Sequence, residues 1–169
     1  GVVEGSVRLT FSATANLMAQ SIQNLGSLVR VPTGCGEQNM ITFAPIISVR
    51  RYFESTNTLS SDMQKKTTEY MKVGYQRELT YQRSDHGFSA FGESDDASSL
   101  WLSAFVLRSF AQSAQILDDD GFYVDPTVLA NTALWIVGLQ KKSSGEYTPS
   151  GLVIHADMKG GVSSNGAAS

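Results

Sequence analysis

Apolar side chains recur at regular spacing along most of the 169-residue chain. At residues 7–11 apolar and polar positions alternate, and this period of two predicts a short β-strand. From residue 13 the period changes to that of an amphipathic helix, which we expect to span residues 13–30. Pro32 should end this helix, because the residue before a proline is disfavoured in the α conformation. The sequence thus predicts a strand followed by helices.

Four further segments have helical periodicity. The second predicted helix runs from about Gln38 to Phe53, and Pro45 is tolerable in it only near the first turns or at a kink. The third helix should begin after Asp62, acting as N-cap, and continue through Tyr75. Each of these two helices has one apolar side, which is typical of a helix packed on a core.

The fourth predicted helix is rich in aromatic residues. Asp95 or Asp96 can act as its N-cap. Its apolar residues follow i, i+4, i+7 and i+11 spacing, and this stripe consists of Leu100, Ala104, Leu107 and Ala111. The stripe is widened by three aromatic residues, Trp101, Phe105 and Phe110. We therefore expect the helix to be buried on more than one side.

The fifth helix is predicted by Asp125 followed by Pro126, an N-cap and a first helical position that suits proline. It should stop near residues 143–145, where the sequence Ser-Ser-Gly favours a helix end. Residues 84–87 are expected to form a loop. The acidic residues 118–121 predict a solvated turn, because they lack the spaced ligands of a calcium loop. The tail at residues 160–166 has no periodicity and should fray.

Consecutive amphipathic helices joined by short polar loops imply an all-α domain. The 41% hydrophobic and 17% charged content suits a domain with much buried or partner-covered surface. A net charge of −3 argues against nucleic-acid binding, which needs basic clusters, and no apolar run is as long as a membrane span. The sequence opens at Gly1 with neither an initiator methionine nor a signal peptide, so we interpret it as a fragment of a larger precursor.

The only cysteine lies in a glycine-flanked heptad, GCGEQNM, at residues 34–40. A helix that begins just after Cys35 would bring its thiol to the side-chain carbonyl of Gln38, because residues i and i+3 share a face. Gly34 and Gly36 allow a tight backbone there. A free cysteine is otherwise most often a small buried hydrophobe. The spacing alone leaves both interpretations open.

A second candidate for chemistry is His155, in the segment GLVIHADMKGG at residues 151–161. A lone histidine near apolar residues is more often structural than catalytic. His86 lies in a loop without a comparable context, and we assign it no role. Two histidines and one cysteine so far apart in sequence give no zinc-binding spacing, so we predict no metal site.

Several segments are similar to one known family. The heptad GCGEQNM resembles the internal thioester motif of the complement C3/α2-macroglobulin/CD109 family, the thioester-containing proteins. FSAFG at residues 88–92 and WLSAFVLRSFAQ at residues 101–112 resemble the macroglobulin, CD109 and invertebrate thioester-protein branch of that family. The segment around His155 is similar to the one that bears the catalytic histidine in complement C3 and its relatives.

This resemblance implies a fold and a domain division. The thioester domain of the family is an α/α toroid, in which helices form concentric layers. Residues 1–12 would then be the end of a CUB-like β region, and residues 13–169 the N-terminal half of the thioester domain of a larger protein. Helical periodicity alone does not distinguish a toroid from a bundle.

The resemblance also implies the chemistry. Cys35 and Gln38 condense with loss of ammonia into a thioester, an internal cross-link that needs no cofactor. The motif is completed by three further residues, Glu37, Asn39 and Met40. On exposure, His155 attacks the Gln38 acyl carbon, and Cys35 leaves as a thiolate that can act as base for an incoming hydroxyl. The acyl group reacts once and is consumed, so the protein is not a turnover enzyme.

The implied function is innate defence. A secreted, extracellular, opsonin-like protein would attach covalently to hydroxyls or amines of pathogen-surface carbohydrate or protein. His155 favours hydroxyls, since protease-trapping α2-macroglobulins commonly have asparagine there. The protein would also contact the rest of its own precursor chain, and a membrane anchor could lie outside this fragment.

Two alternatives stay open. The first is an α2-macroglobulin-like inhibitor that traps proteases, which would then be its partners. The second, from a different class, is a Cys–His hydrolase or transglutaminase built on Cys35 and His155. Such an enzyme needs an orienting acid or amide and has no use for Gln38.

Overall fold

The computed structural model of the chain describes residues 24–116 and 121–155. Besides the helical residues 24–26, these ranges contain the helices α1 (Gly36–Ser55), α2 (Ser61–Leu79), α3 (Leu100–Ser113) and α4 (Pro126–Gly138), with a short 3₁₀ turn at Gly92–Ser94. The described part has no β-strand, only two isolated bridges, Gln82 to Phe88 and Gln140 to Tyr147. The all-α prediction is confirmed. The predicted strand, most of the acidic turn and the C-terminal tail lie outside the described residues.

The end of the first predicted helix differs from expectation. Residues 13–23 lie outside the described part, and residues 24–26 are helical. The amides of Ser27 and Leu28 then bond to the carbonyls of Asn24 and Leu25, both at 3.1 Å, which is a tighter i to i−3 turn. The helix therefore stops before residue 27, and the prediction that Pro32 ends it was wrong.

Helix α1 begins two residues before its predicted start and ends two after its predicted end. Pro45 lies in its interior, where a missing N–H leaves one carbonyl of the helix unbonded. Its core side is formed by large apolar side chains, Met40, Phe43, Ile46, Ile47, Val49 and Phe53. Since these residues are almost fully buried, packing stabilises the helix despite the proline.

Helix α2 is capped by Ser60, whose side chain accepts from the Met63 amide at 3.2 Å. The prediction of Asp62 as N-cap was wrong: this residue lies in the first turn, where a carboxylate still interacts favourably with the helix dipole. Near the other end of α2, a Cβ on Gly74 would come 2.5 Å from the Phe43 ring and 2.9 Å from Pro32. The absent side chain therefore lets α1 and α2 approach closely.

Helix α3 is also capped by a serine. The Ser99 side chain accepts from the Leu102 amide at 3.3 Å. Asp95 and Asp96 do not cap it; the Asp95 carboxylate instead accepts from the Phe91 amide at 2.8 Å and closes the 3₁₀ turn. Both wrong cap predictions have one cause. Serine and aspartate are about equally good N-caps, so the residue type alone does not locate the helix boundary.

The buried face of α3 also differs from the predicted stripe. Leu102, Val106 and Phe110 are fully buried, whereas the stripe residues Leu100, Leu107 and Ala111 are half-buried and Ala104 is exposed. The helix has apolar residues on all sides, so periodicity alone offered more than one possible core face. Trp101 and Phe105 are partly buried against the core, as the prediction of a widened stripe requires.

Helix α4 begins as predicted, with Asp125 as N-cap accepting from the Thr127 amide at 2.8 Å and with proline at the helix start. It ends at Gly138, before the predicted stop at residues 143–145, which instead lie between the bridged residues Gln140 and Tyr147. Leu134 is 69% and Val137 58% exposed. Its apolar surface is therefore largely uncovered within the described residues.

The core lies where α1 contacts both α2 and α3, and α3 in turn contacts α4. The Phe110 ring on α3 packs against the rings of Phe43, Tyr75 and Phe88, with centroids 5.7, 4.8 and 6.2 Å away. The pairs with Phe43 and Phe88 are edge-to-face, and aromatic pairs of this geometry contribute about 0.5–1.5 kcal/mol each beyond the area they bury. This cluster fixes α1 against α2. The candidate site lies where the start of α1 meets the end of α2.

Candidate functional site

Cys35 and Gln38 meet at the start of α1. Cys35 is the N-cap residue, in extended conformation at φ −72° and ψ 175°, and Gln38 is the third helical residue. The Cys35 amide donates to the Gln38 side-chain oxygen at 3.3 Å, and the Asn39 amide donates to the Cys35 carbonyl at 2.8 Å. Cys35 is half-buried and Gln38 is exposed. The two residues of the predicted pair therefore lie within one helical turn of each other, at the surface of the protein.

Two glycines shape this turn. Gly34 has φ +85°, and a Cβ there would collide with the Gln38 side-chain oxygen and lie 2.8 Å from the Gln38 Cβ. A Cβ on Gly36 would lie 2.9 Å from the Ser89 carbonyl oxygen. Both positions therefore require glycine, Gly34 for its backbone conformation and for space, and Gly36 for space alone.

The same turn is held from the far end of α2. The Gly34 carbonyl accepts from Arg77 Nε at 2.9 Å and from the Tyr81 hydroxyl at 2.7 Å. The Gly36 amide donates to the Ala90 carbonyl at 2.9 Å. Ala90 belongs to the FSAFG segment, so this second motif directly supports the first.

Under the turn lie residues that face the interior. Met40 is fully buried in the core. Asn39 is also fully buried, and its amide nitrogen donates to the Gly74 carbonyl at 2.9 Å and to Glu78 Oε2 at 2.8 Å. Burial raises the pKa of Glu78 to about 8, although the Asn39 hydrogen bond and the charge of Arg77 act in the opposite direction.

Glu37 connects the turn to His155. Its carboxylate is 0% exposed and accepts from the backbone amides of Ile154 at 2.8 Å and His155 at 2.9 Å. His155 Nδ1 lies 2.7 Å from Glu37 Oε2, while the His155 side chain is 36% exposed. Both oxygens of this buried side chain therefore have hydrogen-bond partners. Glu37 therefore fixes both the backbone and the ring of His155.

The segment before His155 is anchored separately. The Leu100 amide donates to the Ser150 carbonyl at 3.0 Å, and the Ser150 hydroxyl donates to the Ser98 carbonyl at 2.9 Å. Gly151 has φ +67°, and a Cβ there would lie 2.5 Å from the Ser98 carbonyl oxygen. These contacts anchor the beginning of segment 150–155 at the start of α3, and the segment runs from there to the start of α1.

The structure thus brings His155 to the turn that holds Cys35 and Gln38. Glu37 was predicted from the sequence only as part of the motif, without a role, although a carboxylate beside a candidate nucleophile is the residue type that orients a histidine. The supporting residues Arg77, Tyr81 and Glu78 gave no local signal in the sequence.

Other candidate features remain apart from this site. His86 has φ 71° in its loop, and its backbone carbonyl accepts from the Thr132 hydroxyl at 3.1 Å. In residues 24–116 and 121–155, no group of three or more histidine, cysteine or acidic side chains could hold a metal ion. Over the same ranges, every helix is too short or too polar to cross a membrane.

Comparisons with known proteins agree on one kind of domain. A family model described as the A-macroglobulin TED domain matches residues 11–168. The chain is 41% identical over 161 residues to ovostatin from Gallus gallus, and the aligned region covers 95% of this chain and 10% of ovostatin. The chain therefore spans about a tenth of the length of this relative.

Proposed function

The chain belongs to the α-macroglobulin family of thioester-containing proteins, as part of an α/α-toroid thioester domain, and we propose that it carries a single-use thioester between Cys35 and Gln38. The observation that most strongly supports this proposal is the contact of Glu37 with His155. This contact lies at a residue between Cys35 and Gln38, which supports a role for His155 as the nucleophile. The residues of the motif and of the histidine segment thereby form one site.

Formation of the thioester joins Cys35 Sγ to Gln38 Cδ and releases the side-chain nitrogen of Gln38 as ammonia, which takes the thiol proton. The Cys35 amide donates to the oxygen of that carbonyl group. An N–H at this place, beside the positive end of the α1 dipole, stabilises the negative charge that develops on the oxygen during acyl transfer. The turn thus both positions and polarises the acyl group.

The next step uses His155. If Nδ1 carries its proton toward Glu37, the other ring nitrogen, Nε2, keeps a free electron pair. Nε2 attacks Gln38 Cδ, the Cδ–S bond breaks, and Cys35 leaves as a thiolate. The result is an acyl-imidazole at His155 and a base beside it.

A target hydroxyl completes the reaction. Its oxygen attacks Gln38 Cδ, its proton goes to the Cys35 thiolate, and the bond from Cδ to His155 Nε2 breaks. The target is then held by an ester to Gln38, and the thioester is consumed. We therefore propose single-turnover acyl transfer rather than enzyme turnover.

The physiological setting we propose is extracellular defence, in which a secreted, opsonin-like protein becomes attached to hydroxyls or amines of a pathogen surface. Protease trapping is the second candidate, and the similarity to ovostatin, a member of the α-macroglobulin family, favours it. Both use the same thioester, and the covalent product distinguishes them: surface carbohydrate or protein for the first, a protease for the second.

A Cys–His hydrolase is the third possibility, and Glu37 could orient His155 in one. Gln38 distinguishes the two mechanisms, because a hydrolase does not consume it. A steady release of product from an amide or ester substrate would support the hydrolase. A single stoichiometric burst supports the thioester.

The experiment is a competition between labelled glycerol and labelled methylamine on activated full-length protein. With His155→Asn, only direct attack on the thioester remains, which favours amines, and the proximity advantage of a positioned nucleophile, worth several kcal/mol, is lost. We expect slower hydrolysis and a shift from glycerol to methylamine. His86→Asn is the matched control, since asparagine tolerates the positive φ of that loop. An unchanged product ratio and thioester lifetime in His155→Asn would make His155 a structural histidine.

A further inference from the structure

A carboxyl group and an amide face each other under the candidate thioester turn. Glu78 and Asn39 are both fully buried, and Asn39 Nδ2 donates to Glu78 Oε2 at 2.8 Å. The same nitrogen donates to the Gly74 carbonyl at 2.9 Å. Because a backbone carbonyl can only accept, this second bond fixes which end of the Asn39 side chain is nitrogen.

The second oxygen of each group has no protein partner. Asn39 Oδ1 and Glu78 Oε1 are buried and make no hydrogen bond within the described part of the chain. A buried acceptor left unpaired costs about 1–3 kcal/mol, and more when it is charged. An ionised Glu78 would leave both oxygens as acceptors, whereas one proton on Glu78 Oε1 would give them a donor.

We propose that Glu78 is a neutral carboxylic acid in the native protein and donates its proton to Asn39 Oδ1, which makes Glu78 a positioning residue for the Cys35–Gln38 thioester. The two side chains then form a cyclic acid–amide pair with two hydrogen bonds. The role as a positioning residue rests on the proposed function. The protonation state of Glu78 does not depend on it.

The contacts of the pair explain how it positions the turn. A Cβ on Gly36 would lie 3.2 Å from Glu78 Oε1, so the carboxyl packs directly under the residue that follows Cys35. Asn39 follows Gln38 and is fixed by the same carboxyl. The pair therefore supports the thioester turn on both sides of Gln38.

Burial favours the neutral acid, although the nearby positive charge opposes it. Burial is the largest influence on the pKa of Glu78 and raises it to about 8, against the smaller opposing effects of Asn39 and Arg77. The titratable groups on the surrounding elements are Cys35 at the N-cap of α1, Glu37 on α1, Arg77 on α2, and Tyr81 after α2. Arg77 and Tyr81 donate to the Gly34 carbonyl, and Glu37 accepts from residues 154 and 155. None of these hydrogen bonds involves Glu78 Oε1.

Loss of the proton has a chemical consequence for the thioester. Above the pKa, Glu78 Oε1 and Asn39 Oδ1 are two acceptors that repel each other in a buried site. The turn must move or admit water to relieve this repulsion. Water beside Gln38 Cδ hydrolyses the thioester, so its spontaneous lifetime should shorten as Glu78 ionises.

Glu78→Gln is the test, because its amide can replace the O–H donor at every pH. Spontaneous release of the Cys35 thiol from full-length protein is measured from about pH 6 to about pH 9.5, and the wild-type rate is divided by the variant rate at each pH. This ratio cancels the direct effect of hydroxide. We expect a ratio near one at low pH that rises several-fold along a one-proton curve with its midpoint near the Glu78 pKa. Glu69→Gln, an exposed position on the same helix, is the control and should follow wild type.

A ratio that stays flat across this pH range would overturn the inference. If Glu78→Gln does not fold, the infrared difference spectrum of wild type between the two ends of the range decides: a protonated carboxylic acid band must disappear as pH rises, and its absence contradicts the inference. If wild type contains no thioester, the proposed function fails, while the infrared band still decides the state of Glu78.

Discussion

Glu37→Gln separates positioning of His155 from the chemistry of the thioester itself. The wild-type Glu37 side chain accepts from the Ile154 and His155 amides, and its Oε2 lies 2.7 Å from His155 Nδ1, which donates to it when Nδ1 carries the ring proton. Glutamine has nearly the same shape but one acceptor oxygen and one donor nitrogen. In either orientation it therefore presents a donor to a donor, and the negative charge that holds the ring is removed.

The size of the effect follows from these bonds. A hydrogen bond to a charged group contributes about 1.5–3 kcal/mol. The His155 side chain is 36% exposed, so solvent screens its bond and the lower end of this range applies. A loss of about 1.5 kcal/mol lowers the population of the positioned ring about tenfold. Ester formation on glycerol should slow by about the same factor.

The assay follows glycerol incorporation and Cys35 thiol release after identical activation of full-length wild type, Glu37→Gln and the control Glu69→Gln. Intact mass first establishes that each protein carries the thioester. Direct attack by methylamine does not need His155, so its rate should change little in Glu37→Gln. If the variant contains the thioester and still esterifies glycerol at the wild-type rate, Glu37 does not position His155.

Three further outcomes are expected. Gly34→Ala should lower the yield of thioester, measured as methylamine uptake, because its Cβ would collide with Gln38 at a backbone φ of +85°. The pKa of Glu78 rises on folding from 4.5 to about 8, so the native state holds a proton that the unfolded chain releases. The free energy of unfolding should therefore fall with pH between these values and level off above them, in urea titrations at several pH values, and Glu78→Gln should remove this slope. The isolated 169 residues should bind a hydrophobic dye or self-associate, because Leu134 and Val137 are exposed; a monomer without dye binding would contradict this.

The sequence was sufficient for the existence of the helices and for the placement of Gln38 one turn after Cys35, because both depend on local spacing. It was insufficient for the caps of α2 and α3, where Ser60 and Ser99 stand instead of the predicted acidic residues. It was also insufficient for the core face of α3, since a helix that is apolar on all sides has its buried face chosen by its neighbours.

The role of Glu37 could not be predicted from local pattern, because its partner His155 lies 118 residues further along the chain. The resemblance to thioester proteins named both residues but did not join them. The buried Glu78–Asn39 pair was missed for the same reason, since its two members lie on different helices, 39 residues apart. Long-range contacts of this kind follow from packing rather than from periodicity.

The proposed function depends on the bond between Cys35 and Gln38. Intact mass of the full-length protein shows whether this bond is present. Without treatment, the mass should be lower than that of the translated chain, after its known modifications, by one ammonia, and Cys35 should resist alkylation. After methylamine, the mass should rise by one methylamine and Cys35 should become alkylatable. A protein that shows no ammonia loss, takes up no methylamine and has Cys35 freely alkylated from the start would contradict the account.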